Sequence, residues 1–306
     1  MQVFFLLLFK LIPLYFIIAL GFVAGKYLKV SKESLAALLI YIIAPLVVFH
    51  GVYTTPLTAG TLLLPVVFFI AAAIICLLFY YVGKIFFEGS AKNLLAFAAA
   101  SGNTGYFGLP VGVAIFGPQA LGTLVLCTLG LIVFENTLGF FIAARGEHTA
   151  KEALMKVVKL PSVYAFIIAV AVNLMQINLG QTYLDFAQMF RGAYSVLGMM
   201  IVGLGIAGIA KFELDLKFVS LAFLGKFLVW PFMMFFLVFV DRQFWHLFGD
   251  LAHKVLLLLS VMPIAANTVA FATELRVHPQ KAAVAVLLST LFALVYIPLM
   301  VIYLIK

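Results

Sequence analysis

Ten apolar runs, each near the length that crosses a bilayer, leave this chain of 306 residues few other ways to fold. A spanning helix takes about 20 mostly apolar residues. Such runs occupy residues 3–24, 35–52, 61–83, 93–117, 120–144, 161–177, 186–210, 217–240, 251–273 and 281–304. The connections between them are short, so no water-soluble domain remains. With 66% of residues apolar and 10% charged, a soluble body of this size could not cover its own apolar surface. The expected class is therefore an all-α membrane protein. The N-terminal run lacks a positively charged leader and a small-residue cleavage site, so it reads as a first span and not as a signal peptide.

Lysine and arginine orient this ladder. The formal charge of +8 gathers into no face or run, which argues against a nucleic-acid partner. The odd-numbered connections hold 13 of the 19 basic residues, whereas Arg191, Arg242, Lys254 and Lys306 are the 4 on the opposite side. Positive charge is retained in the cytoplasm, so both termini are expected outside the cell. The longest connection starts at Arg145. Thr149-Ala150-Lys151-Glu152 has the form of a capping box, and apolar residues follow it at helical spacing. A short amphipathic helix lying on the inner membrane surface is expected there.

Cutting at that linker, residues 146–160, leaves 1–145 and 161–306 with five spans each. An odd number forces the halves into opposite orientations, so the expected architecture is ten transmembrane helices as two inverted five-helix repeats. The fourth span of each half is interrupted, by SGNTGYFGLPVG at 101–112 and by VMPIAANT at 261–268. Leu109-Pro110-Val111-Gly112 matches Met262-Pro263-Ile264-Ala265 in kind, and each break carries an Asn-Thr pair. A broken helix frees backbone groups that cost several kcal/mol each if lipid sees them, so both breaks must be buried or line a wet cavity. Two such helices, four and nine, crossing at mid-depth would converge half-helix N-termini and free carbonyls. Asn103, Thr104, Gly105, Pro110, Pro263, Asn267 and Thr268 are the expected binding residues. Pro45, Pro231 and Pro298 stand alone in their spans and read as packing kinks.

Ionisable groups inside spans add candidates, because charge at that depth is expensive. Lys226 suits a substrate carboxylate or an internal partner. Glu135, with Asn136 and Ser101, suits a coupling proton or cation. Lys10 and Glu274 lie nearer span ends, and His50 reads as interfacial. Gly21, Gly25 and Gly203 read as sites of close helix packing. Cys76 and Cys127 lie within apolar runs and imply no disulfide or metal, and no cofactor is expected.

The pattern Asn103, Gly105, Gly108, Pro110 (N-x-G-x-x-G-x-P), closing at Phe116-Gly117, resembles the auxin efflux carrier family. Met262, Pro263, Ala265 and Asn267 (M-P-x-A-x-N) support it, and the layout covers the whole chain. The family includes plant auxin exporters and bacterial permeases for organic acids such as malate and malonate. Lacking a large cytoplasmic loop, this chain resembles the bacterial branch, which implies the bacterial cytoplasmic membrane. The resemblance implies a fold similar to sodium/bile-acid symporters. In it a crossover domain moves in an elevator-like manner against a scaffold that supports a homodimer. It also carries Asn103, Pro110, Pro263 and Asn267 over as site residues.

A P-loop is absent, and so are H-E-x-x-H and G-x-S-x-G, so neither an ATP motor nor an enzyme is expected. The expected function is secondary active transport of a small organic anion such as a carboxylate. A channel or membrane sensor of the same fold is the alternative. Coupling to H+ or Na+ stays open, with the proton preferred because neither break contains an acidic residue.

Overall fold

The computed structural model describes residues 2–144, 161–208, 214–275 and 277–305. The expected amphipathic linker, with its Thr149–Glu152 capping box, lies outside the described residues, as do the side chains of Lys10 and Glu274. Regular structure among the described residues is helical, apart from one isolated β-bridge.

Twelve helices follow in order. They are α1 (Gln2–Lys26), α2 (Lys32–Tyr53), α3 (Ala59–Phe86), α4 (Ala91–Ala100), α5 (Thr104–Phe116), α6 (Pro118–Ala143), α7 (Pro161–Leu174), α8 (Gly180–Ala207), α9 (Leu216–Trp245), α10 (Asp250–Ser260), α11 (Asn267–Glu274) and α12 (Pro279–Tyr303). Six of them, α2, α3, α6, α8, α9 and α12, are long and apolar enough to cross a membrane. The two spans expected to be interrupted appear as the pairs α4–α5 and α10–α11. Large apolar side chains such as Phe16, Ile70, Ile74, Phe232 and Phe236 stand on the outer surface. In water such faces would aggregate, and in lipid they are solvated. The chain is a multi-pass membrane protein.

Local sequence sets the helix starts. Ser31 accepts from the Ser34 N–H at 3.1 Å, Thr58 and Thr61 cap α3 reciprocally, and Asp215 accepts from the Phe218 N–H at 3.0 Å. Glycines set the closest approach. Helix α1 lies along α8. A Cβ on Gly21 would come within 2.7 Å of the Met200 Cα, and one on Gly203 within 2.5 Å of the Phe22 nitrogen. Their expected packing role is therefore met by backbone contact. Helix α7 lies along α2, where the Asn173 amide donates to the Tyr53 and Thr55 carbonyls at 2.7 and 2.9 Å. At the turn from α9 to α10, buried Asp241 accepts from the N–H groups of Leu247 and Phe248 and pairs with His253 Nε2 at 2.8 Å.

Several helices contain a π turn. Those at Leu39–Ile43, Thr104–Gly108 and Gly225–Val229 each end two residues before a proline, Pro45, Pro110 and Pro231. A proline ring collides with the carbonyl four residues back and offers no N–H. One extra residue in the preceding turn moves that carbonyl aside, so the helix continues. This corrects one expectation. Pro110 does not interrupt the fourth expected span; the helix breaks upstream, at residues 101–103, and Pro110 sits within α5.

Candidate functional site at the crossing of two broken helices

Helix α4 stops because Ser101 turns extended, at φ −84° and ψ 134°. Helix α10 stops at Ser260, and residues 261–266 run to α11. The two gaps meet. Gly102 forms an antiparallel bridge with Ile264, and the Asn103 N–H donates to the Pro263 carbonyl at 2.8 Å. Breaking a buried helix leaves a bookkeeping problem for its polar backbone, and local partners resolve much of it. Trp230 Nε1 donates to the Ala100 carbonyl at 3.1 Å, and the Ile264 N–H donates to Ser289 Oγ at 3.1 Å. The Thr104 N–H donates to the Gly102 carbonyl, and the Gly108 N–H to the Asn103 carbonyl. Asn103 Oδ1 caps the new helix by accepting from the Phe107 N–H at 3.2 Å.

Glu135 joins the two breaks. Its Oε1 accepts from Ser101 Oγ, and its Oε2 accepts from Asn267 Nδ2 at 3.0 Å. The residue is 3% exposed. Lys226, 1% exposed, brings its ammonium to 4.6 Å from the centre of the Trp230 ring. A Cβ on Gly102 would lie 2.6 Å from Lys226 Nζ, so the ammonium rests directly on the broken backbone. Among the described residues that ammonium makes no hydrogen bond or ion pair. Cation–π contact with Trp230 and the long-range attraction of Glu135 are its compensation.

Three further polar atoms are buried without a partner around the crossing: Asn103 Nδ2, Thr268 Oγ1 and Thr128 Oγ1. Buried polar atoms are nearly always paired, so each such exception calls for a reason. Gly105 is held close on the same side. A Cβ there would lie 3.2 Å from the Tyr194 hydroxyl and 3.7 Å from Thr128 Cγ2.

The expected residues thus separate. Ser101, Asn103, Glu135, Pro263 and Asn267 are joined by hydrogen bonds, Lys226 lies on Gly102, and Thr104 is buried in the adjoining π turn. Asn136 spends its amide on the Ile132 carbonyl of its own helix at 2.9 Å. Pro110 borders a separate cavity with Arg191 and Tyr194. Sequence reasoning missed Tyr194, Trp230, Thr128, Ser289 and Arg191. Tyr194 carried a usable signal, as a hydroxyl within a span rich in small residues. The others look in sequence like ordinary span residues.

A helical bundle that breaks two helices against each other around buried ionisable groups has the build of a membrane transporter. The chain belongs to the auxin efflux carrier family: the family profile described as "Membrane transport protein" matches residues 6–301. The chain is also similar to the "Uncharacterized transporter MJ1031" of Methanocaldococcus jannaschii. The two are 27% identical over 289 residues, which is 90% of this chain and 92% of the relative.

Proposed function

We propose that this transporter is a secondary carrier for a small organic anion, a carboxylate, bound where the two broken helices cross. The observation that carries the reading is the set of unpartnered donors there, Asn103 Nδ2 and Thr268 Oγ1, beside the Lys226 ammonium. A carboxylate offers acceptor oxygens and one negative charge, and a cation flanked by neutral donors is its complement. Gly105 and Pro263 shape the backbone around it.

The reading extends to the whole fold, as ten crossings in two inverted repeats, 1–145 and 161–306. Two observations support it. The first span lies on the seventh as the sixth lies on the second, which is the pairing an inverted repeat generates. The two breaks also bridge to each other directly. In an elevator-type cycle the helices bearing the breaks would slide against a frame of α1, α2, α7 and α8. That frame would support a homodimer, in a bacterial cytoplasmic membrane with both termini outside.

Coupling falls to Glu135. It holds one group from each break, Ser101 and Asn267, so a proton on the carboxylate would take the charge from both bonds, reverse the one to Ser101 and loosen the crossing. A proton is preferred over sodium because the breaks themselves contribute no acidic ligand.

The test is [14C]malonate movement in proteoliposomes. Saturable uptake, accelerated by malonate on the far side and lost in the Asn103→Ala/Asn267→Ala double variant, is the expected result. Uptake without saturation or counterflow would replace the carrier with a channel. A requirement for a sodium gradient at fixed pH would reverse the coupling ion.

A further inference from the structure

Two cavities flank the crossing, and each contains one basic residue. The larger, about 120 Å³, is bordered by Pro110 and Val113 of α5 and by Arg191, Gly192, Tyr194 and Ser195 of α8. The smaller, about 10 Å³, is bordered by Lys32, by Val202 and Gly205 of α8, by Ala266 just before α11, and by Ala283 of α12. The larger cavity therefore touches the middle of α5 and the smaller one the start of α11, the two helices that follow the breaks, and each also touches α8. Gly192 and Gly205 stand on that one helix, roughly 20 Å apart by its rise of 1.5 Å per residue.

Each cavity also reaches the crossing itself. Tyr194 borders the larger one and places its hydroxyl against Gly105. Ala266 borders the smaller one and adjoins Asn267. Neither Arg191 nor Lys32 makes a hydrogen bond or ion pair among the described residues. Lys32 Nζ lies 3.6 Å from where a Gly205 Cβ would stand. Near the larger cavity, one turn beyond Val47 at its border, the His50 ring faces Tyr183 at 5.9 Å. His50 Nδ1 and Tyr183 Oη are both buried without a partner. The unpaired polar groups thus continue from the crossing toward the Arg191 side.

We infer that these cavities are the two opposite mouths of the transport path, and that Arg191 and Lys32 are their anion-receiving groups. Each takes the carboxylate before or after it occupies the crossing. The difference in volume gives the state of the molecule. About 120 Å³ admits several waters or a small carboxylate, whereas 10 Å³ holds at most one water. The Arg191 mouth is open and the Lys32 mouth is shut. The seam that must part to release cargo on the far side runs between Lys32 and α8 on one flank and Ala266 and α12 on the other. The inference rests on the anion reading for its cargo, but the paired mouths can be tested without any cargo.

Cysteines at Gly192 and Gly205 provide that test. A side chain at Gly192 meets nothing within 4 Å, and one at Gly205 meets only the end of the Lys32 side chain. Native Cys76 and Cys127 are buried. Membrane-impermeant methanethiosulfonates, one anionic (sulfonatoethyl) and one cationic (trimethylammonioethyl), are applied to each side of reconstituted Gly192→Cys and Gly205→Cys. The expected result is labelling from opposite sides, faster at Gly192→Cys. The anionic reagent should be favoured by roughly ten-fold at each site, the scale of local electrostatic concentration. Arg191→Gln should abolish the preference at Gly192→Cys alone, and Lys32→Gln at Gly205→Cys alone. Labelling of both from one side, or a preference indifferent to its own basic residue, overturns the inference. Ser195→Cys and Ala283→Cys repeat the measurement if either glycine variant fails to fold. Malonate uptake and efflux are run in parallel. With Arg191→Gln the KM should rise several-fold in one direction only, and with Lys32→Gln in the other. If labelling behaves as expected and malonate does not move, the cargo assignment fails while the mouths stand. If malonate moves and labelling fails, the reverse holds.

Discussion

Asn267, the first residue of α11, donates its side-chain amide at 3.0 Å to Glu135, which lies 132 positions earlier in the chain and whose other oxygen holds Ser101. One carboxylate thus fastens both broken helices at the level where they meet.

That fastening predicts coupled effects. Asn103→Ala and Asn267→Ala should each weaken malonate binding by about 1–3 kcal/mol, the scale of leaving a buried polar partner unmatched. Groups that share one ligand are not independent, so the double variant should differ from the sum of the singles. Calorimetric titration in detergent, with size-exclusion profiles as a folding control, measures this. Wild-type binding in both single variants would show that the site lies elsewhere.

Lys226 separates stability from function. A buried ammonium without an ion-pair partner carries a desolvation cost on the order of several kcal/mol, which an apolar replacement of similar volume removes. Lys226→Met should therefore keep or raise the thermal midpoint while abolishing malonate transport. Gly102→Ala should impair transport more mildly, because its Cβ has only the movable end of Lys226 to displace. A Lys226→Met protein that transports normally would remove the ammonium from the binding set.

Pro110 follows a π turn and not the break, so its replacement should act on motion. In Pro110→Ala the restored N–H allows the turn at Thr104–Gly108 to tighten to α geometry, rotating residues 104–108 relative to the crossing. Malonate affinity should change less than two-fold, and the transport rate should fall by roughly ten-fold. Titration and initial-rate flux on one preparation separate these effects. An affinity loss equal to the rate loss would mean that the proline shapes the site itself.

Topology has a direct readout. Ser31→Cys and Thr54→Cys, both at exposed positions flanking α2, should be labelled by an impermeant maleimide from opposite sides. Labelling from one side would undo the crossing of α2 and, with it, the inverted repeat.

Asp215 predicts a pH dependence outside the membrane. Burial alone would raise its carboxyl. The Lys281 ammonium at 2.7 Å and the Phe218 and Lys217 N–H groups outweigh burial and hold it below the usual carboxylate range. A depressed carboxyl stabilises the fold above its unfolded-state value and loses that contribution as pH falls through the folded one. Asp215→Asn keeps the cap and removes the charge. It should therefore cost about 1 kcal/mol near neutral pH, and the difference from wild type should close below about pH 4. Thermal unfolding across that range tests it, and a gap independent of pH would assign the effect to packing.

The sequence exposed those parts of the site whose cost in lipid is high. Proline and asparagine in mid-span announced both breaks, with glycines added in the first, and the isolated charges announced Glu135 and Lys226. Their spatial relations were less legible. Nothing in the local pattern says that Glu135 reaches both helices, because that depends on how α6 rotates against α4 and α11. Asn136, its neighbour, points its amide back along its own helix. The π turns were hidden because one surplus residue leaves hydrophobic periodicity almost unchanged. Proline was legible as a kink but not as the partner of such a turn. The cavities were hidden for another reason. Arg191 and Lys32 read as topology signals, and only folding brings them beside the middle of α5 and the start of α11.

The π turns give the helices a mechanical allowance. Thr104, Glu135 and Lys226 each sit within one, on three different helices that converge at the crossing. A helix carrying one surplus residue is a crankshaft with slack: passing the surplus along by a turn would swing each residue it traverses by about 100° while breaking few hydrogen bonds. A carboxylate or an ammonium could then be presented to one side of the bilayer and afterwards to the other, with the helix ends staying where they are.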